Sequence, residues 1–125
     1  MQKINTVASF EDLRVWQLSM DLVDNIYSAA ALFPKSEIYG LTSQVRRAAV
    51  SIALNMAEGS DKKSDKDFIR FLRIAIGSTE EVVTALYIAL DLEFIEKKKF
   101  DKLYEEANYI AARLNGLISY LKKRR

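Results

Sequence analysis

The stretch Glu37–Glu58, EIYGLTSQVRRAAVSIALNMAE closed by Gly59, limits the possible folds more than any other part of the chain. Set on a helix at about 100° per residue, it divides into three faces. Ile38, Leu41, Val45, Ala49, Ile52 and Met56 form one apolar stripe, and Tyr39, Val50, Ala53, Leu54 and Ala57 form a second with Arg46 beside it. Between them runs a polar line of Glu37, Gln44, Arg47, Ser51, Asn55 and Glu58. A surface helix ordinarily has one apolar stripe and a solvated back. A helix with two such stripes is expected to bury two faces.

The same periodicity organises the rest of the chain. After a loose lead-in, Ser9-Phe10-Glu11-Asp12 reads as a capping box with Asp in place of Glu. Pro34 forces the preceding residue out of helical geometry and ends the first helix. This helix also carries two stripes, Leu13, Trp16, Met20, Val23, Tyr27 and Ala31 against Val15, Leu18, Leu22, Ile26, Ala29 and Phe33. Ser36 is expected to cap the second helix and Gly59 to end it as a C′ glycine. Ser64 is the expected cap of the third helix, in which Ile74, Ala85 and Leu92 add a weaker second stripe. Gly77 would weaken that helix by about 1 kcal/mol relative to Ala, which predicts a close helix crossing there. The fourth helix has a single face, from Phe100, Leu103 and Ala107 to Leu114, Ile118 and Leu121. Helices at about 10–33, 36–58, 65–92 and 97–121, joined by short loops, predict an all-α, antiparallel up-down-up-down four-helix bundle forming one domain over residues 1–125.

Chemistry is constrained mainly by what is missing. The chain contains neither histidine nor cysteine, the commonest general base and the commonest soft metal ligands. Glu-x-x-His di-iron pairs are therefore impossible, and no phosphate-cradling glycine loop or nucleophile elbow occurs. Glu37 and Glu58 share a line but lie 21 residues apart, about 31 Å along a helix, so they cannot form a dyad within one chain. Glu80-Glu81 reads as a solvated pair. The expectation is a non-enzymatic protein with no catalytic residues, metal or cofactor. The lack of cysteine and of an apolar leader or spanning segment points to a cytoplasmic protein off the membrane.

The surplus stripes on the first two helices would leave a large apolar patch on a monomer, and burial between subunits removes it. Splayed helices burying more of their circumference within one chain are the alternative. The polar line Glu37, Gln44, Arg47, Ser51, Asn55 and Glu58 likewise reads either as a buried network fixing helix or subunit register, or as an open groove that binds something.

Net charge is only +2, but residues 96–125 hold nine basic against four acidic side chains. Clusters at Lys97, Lys98, Lys99 and at Lys122, Lys123, Arg124, Arg125 suggest a polyanionic partner, with Arg47, Lys62 and Lys63 as further candidate contacts. Alternating loops place Lys62 and Lys63 at the same bundle end as residues 122–125, and Lys97–Lys99 at the other. With no aromatic RNA-binding platform evident, recognition by shape and charge is expected.

The pattern ExYGLTxQxRRAAxSIxxNxAEG over Glu37–Gly59 closely resembles the signature of a four-helix-bundle family, typified by proteins encoded in intervening sequences of bacterial 23S rRNA genes. The opening Phe10-x-x-Leu13-x-x-Trp16, the turn Phe33-Pro34 and the third-helix motif Phe71-Leu72-x-x-Ala75-x-Gly77-Ser78-x-x-Glu81 extend the resemblance over about residues 9–121. It implies an antiparallel bundle assembled as a homopentamer. The chain is also similar to the accessory variability proteins of diversity-generating retroelements, which share bundle and pentamer and work with nucleic acid and a reverse transcriptase. One departure is Glu96, where many relatives begin the fourth helix with Ser or Thr. The family supplies no defined activity, and nucleic-acid binding is its standing proposal. The expected function is thus an oligomer binding nucleic acid, RNA before DNA. The alternative is an interaction scaffold or accessory subunit that grips a protein such as a polymerase.

Overall fold

The computed structural model describes residues 13–124. Its helices are α1 (Arg14–Ala30), α2 (Leu41–Ser60), α3 (Asp65–Asp91) and α4 (Lys97–Lys123), with no strand among the described residues. Packing links α1 with α2 and α4, and α3 with α2 and α4, while the diagonal pairs make no extended contact. That is the neighbour pattern of a four-helix bundle with short sequential connections. The α2–α3 seam is the most extensive.

The core is built from one stripe per helix. Leu22 and Ile26 of α1, Val45, Ile52 and Met56 of α2, Leu72, Val82 and Leu86 of α3, and Leu103, Ile110, Leu114 and Leu121 of α4 are essentially fully buried. Each large aliphatic side chain so buried contributes roughly 1.5–3 kcal/mol. The Val15, Leu22, Ile26, Ala29, Phe33 stripe of α1 faces inward, joined by Trp16. From the other stripe Met20 and Tyr27 remain exposed, while Leu13 and Val23 pack partly against the core. Of the first stripe, Val45, Ala49, Ile52 and Met56 of α2 are in the core, Leu41 is half-buried and Ile38, ahead of α2, is exposed; of the second, Ala53 is buried, Val50 and Ala57 are half-buried, and Leu54 and Tyr39 are exposed. Ala85 of α3 is buried, whereas Ile74 and Leu92 stay exposed.

Several helix ends differ from the sequence expectation. The start expected near Phe10, and its capping box at Ser9, lie outside the described residues. α1 stops at Ala30, three residues short of Phe33, and Lys35–Glu37 form a single 3-10 turn. α2 begins at Leu41, and Ser36 does not cap it. The Glu37 carboxylate does so instead, accepting the Leu41 N–H at 3.0 Å. A Cβ at Gly40 would lie 2.9 Å from that carboxylate oxygen, so the missing side chain is what lets Glu37 fold back over the helix start. Gly59 is not a C′ residue: no glycine has positive φ, and α2 continues through it to Ser60. Its role is close approach, since a Cβ there would sit 2.7 Å from the Cβ of Phe71 and 3.0 Å from the Phe68 ring. Gly77 makes no close crossing within the chain, with nothing within 4 Å of the site a Cβ would occupy.

Ser64 caps α3 as expected, its hydroxyl accepting the Asp67 N–H at 3.1 Å. At the other end of α3, Glu93 adopts φ 61°, and Phe94 N–H donates to the Ala89 carbonyl at 2.8 Å while Glu93 N–H donates to Leu90. This is a Schellman turn with glutamate where glycine is usual. It sends Phe94 back against Phe33, ring centroids 5.9 Å apart.

Candidate nucleic-acid interface

One bundle end gathers the α2–α3 connection and the last turn of α4. Arg124 donates two hydrogen bonds to Asp65, Nε to Oδ2 at 2.9 Å and Nη2 to Oδ1 at 2.8 Å, so the tail of α4 is clamped to the first turn of α3. The hydrogen bond to Asp65, aided by one to the Tyr120 hydroxyl, raises the guanidinium pKa beyond its already high value. Arg124 therefore stays charged in the clamp, its charge offset by the Asp65 carboxylate. Lys62 is engaged too, 3.8 Å from the Glu58 carboxylate and 5.2 Å from the Phe71 ring centroid. Arg70 covers Phe71 at 4.5 Å. Lys63, Lys66, Lys122 and Lys123 are exposed and form no ion pair among the described residues. Arg125 lies outside the described residues.

At the opposite end Lys97 is paired with Asp101 and lies 5.6 Å from the Phe100 ring centroid. Lys98 is exposed, and Lys99 lines a cleft of about 560 Å³ with Leu32, Phe94 and Ile95. The two lysine clusters are thus separated by the length of α4. The loop around this cleft exposes apolar side chains, with Leu32 84% and Tyr39 96% accessible.

The polar line of α2 divides. Ser51 accepts hydrogen bonds from Ser78 of α3 at 2.9 Å and from Asn55 at 3.0 Å, and Asn55 also donates to the Ser51 carbonyl at 2.9 Å. These three groups join α2 to α3. Gln44, Arg47 and Glu58 are exposed and outside that network; Gln44 borders a groove with Glu80, Glu81 and Thr84. Arg47 forms no ion pair among the described residues. Glu37 serves as the cap of α2. Among the described residues two buried polar atoms have no protein partner: Arg46 Nε, whose guanidinium covers the Tyr27 ring at 4.9 Å, and Glu106 Oε2, while Glu106 Oε1 accepts from Asn25 at 2.7 Å.

A model of the 23S rRNA-intervening sequence protein family matches residues 11–116. The chain belongs to this family. Among solved structures it is similar to a protein of unknown function from the S23 ribosomal protein family of Bacteroides thetaiotaomicron, with a TM-score of 0.75 and 22% identity over 83% of this chain and 97% of that one. At that identity the likeness extends to the fold. No curated protein matches the chain. Within the family signature, the observed contacts give structural reasons for Glu37, Gly40, Ser51, Asn55, Gly59 and Ser78. They give none for Arg47.

Ser78, Tyr109, Arg113 and Tyr120 are not among the site residues expected from sequence, whereas Arg124 is, as a phosphate contact. Tyr109 with Arg113, and Tyr120 with Arg124, are spaced four apart, the interval at which side chains meet on a helix, and that spacing was their available signal. Among the described residues no cluster of His, Cys, Asp or Glu is arranged to hold a metal ion, and no helix is long and apolar enough to cross a membrane.

Proposed function

We propose that this family member is a non-enzymatic, self-assembling bundle that binds RNA through phosphate contacts at its basic ends. The observation that carries the reading is the convergence at one end of the bundle of Lys63, Lys66, Lys122 and Lys123, which form no ion pair among the described residues, where the Arg124–Asp65 clamp holds the α4 tail in place. Assembly multiplies that charge: five copies, the number the family resemblance implies, turn a modest local surplus into a continuous polyanion-binding surface. The exposed Met20, Tyr27, Leu54, Ile74 and Ile88 supply apolar area for subunit contacts. The absence of His and Cys favours a binding role over a catalytic one.

Titration of a labelled structured RNA at several salt concentrations tests the reading. Log affinity should fall steeply with log salt, and replacing Lys122 and Lys123 by Gln should flatten that slope by about one unit per lost phosphate contact. Absence of binding at low salt would remove RNA as the partner. Exposed Leu32, Ile38 and Tyr39 at the other end favour a second reading, a scaffold gripping a protein. That reading predicts weak RNA binding insensitive to the tail, with a protein partner lost on substituting Tyr39.

A further inference from the structure

The outer face of α4 carries a column of side chains that neither core nor capping explains. Lys98, Lys102, Tyr109, Arg113, Tyr120 and Lys123 fall within a sector of about 80° at helical spacing, and every one is exposed. Tyr109 and Tyr120 keep 53% and 59% of their surface accessible, far more than burial in the core would leave. Each ring is held by an arginine one turn on: Arg113 lies 5.8 Å from the Tyr109 centroid and donates to its hydroxyl at 3.3 Å, and Arg124 lies 5.7 Å from the Tyr120 centroid. Between the rings, Gly116 has nothing among the described residues within 4 Å of the Cβ position and borders a cleft of about 340 Å³ shared with Leu13, Arg14 and Leu117. Lys98, Lys102 and Lys123 form no ion pair among the described residues; Glu105 is an exposed acid in the sector, and the half-buried Glu106 lies at its edge.

We infer that this column is a track for single-stranded RNA, along which bases stack on Tyr109 and Tyr120 while the flanking cations follow the phosphates. The inference rests on the RNA-binding reading above and specifies its mode. Two observations favour this occupant over a second copy of the chain. Four cations, Lys98, Lys102, Arg113 and Lys123, stand against one exposed acid in the column, so two such columns laid together would repel. Its aromatic residues are spaced and separately supported by guanidinium groups, where an apolar contact face would be continuous. Exposed aromatic platforms along a basic groove are the arrangement by which single strands are held without sequence preference. The track also joins the two lysine clusters, because both lie on α4.

The test uses the full-length protein with a labelled 20-nucleotide oligouridine and an RNA duplex of equal length. Tyr109→Ala with Tyr120→Ala should weaken oligouridine binding by roughly tenfold per tyrosine, leaving the salt slope and duplex affinity unchanged. Tyr109→Phe with Tyr120→Phe should bind as the parent, since stacking needs the ring and not the hydroxyl. Lys98→Gln with Lys102→Gln should lower the salt slope instead. Equal affinity of the alanine variant and the parent for oligouridine would overturn the track while leaving phosphate binding at the ends intact. A changed oligomeric state by light scattering would reassign the column to a contact between copies. Failure of the parent to bind either RNA would overturn both readings together.

Discussion

Gly59 and Phe71 approach so closely that a methyl group on the first would lie 2.7 Å from the Cβ of the second. Gly59→Ala must therefore push α3 away from α2 and is expected to destabilise the bundle by about 1–3 kcal/mol. Gly77→Ala and Gly116→Ala meet nothing among the described residues within 4 Å and should each stabilise by about 0.5–1 kcal/mol, through lower backbone entropy in the unfolded chain. Urea midpoints of the three variants check the contrast. A loss at Gly77 comparable to that at Gly59 would show that another subunit fills the space beside it.

The α3–α4 turn is built from two unfavourable residues. Glu93 holds a left-handed conformation that glycine adopts without steric penalty, and its charge sits beside the negative end of the α3 dipole. Glu96, at the N-cap of α4, accepts no capping hydrogen bond through its side chain. Glu93→Gly and Glu96→Ser should each raise stability by about 1 kcal/mol, seen as a higher thermal midpoint without change in helix content.

Asp65 is expected to separate stability from binding. Its pair with Arg124, whose side chain is 53% accessible, is worth about 1 kcal/mol, so Asp65→Asn should cost little in a denaturation curve. The released Arg124 guanidinium would then be available to phosphate, and RNA affinity should rise with a salt slope steeper by about one unit. Weaker binding in this variant would mean that the clamp's positioning of α4 outweighs the freed charge.

Substitutions at the two kinds of apolar site should behave differently. Ile52→Ala and Leu114→Ala remove fully buried side chains and should cost about 2–5 kcal/mol each. Leu54→Ser, at a position 63% exposed, should change monomer stability by less than about 0.5 kcal/mol. Its effect is expected in the mass measured by light scattering, where loss of the oligomer locates α2 in a subunit contact.

How far the fold was legible follows from which signals are local. The single-faced α4 and the Ser64 cap depend on spacing within a few residues, and both are found as expected. The start of α2 was placed too early because Ile38 and Leu41 keep helical register across a 3-10 turn, and nothing local distinguishes a Ser cap at residue 36 from a Glu cap at residue 37. Gly59 differs from expectation for a related reason: a terminating glycine and a close-approach glycine look alike until the partner helix is present. The polar line of α2 was visible, but its division was not, since Ser51 and Asn55 belong to the network only because Ser78 lies across the seam. Likewise the Arg124–Asp65 clamp joins residues 59 positions apart and depends on the register of α4 against α3.

One uninterrupted helix carries both lysine clusters, and this fixes a length. From Lys98 to Lys122 the rise is about 36 Å, set by backbone geometry and unaffected by the loops. Insertions in the connections would leave that gauge unchanged. Each residue added within α4 would extend it by about 1.5 Å and rotate one cluster by about 100° relative to the other, so spacing and phase change together.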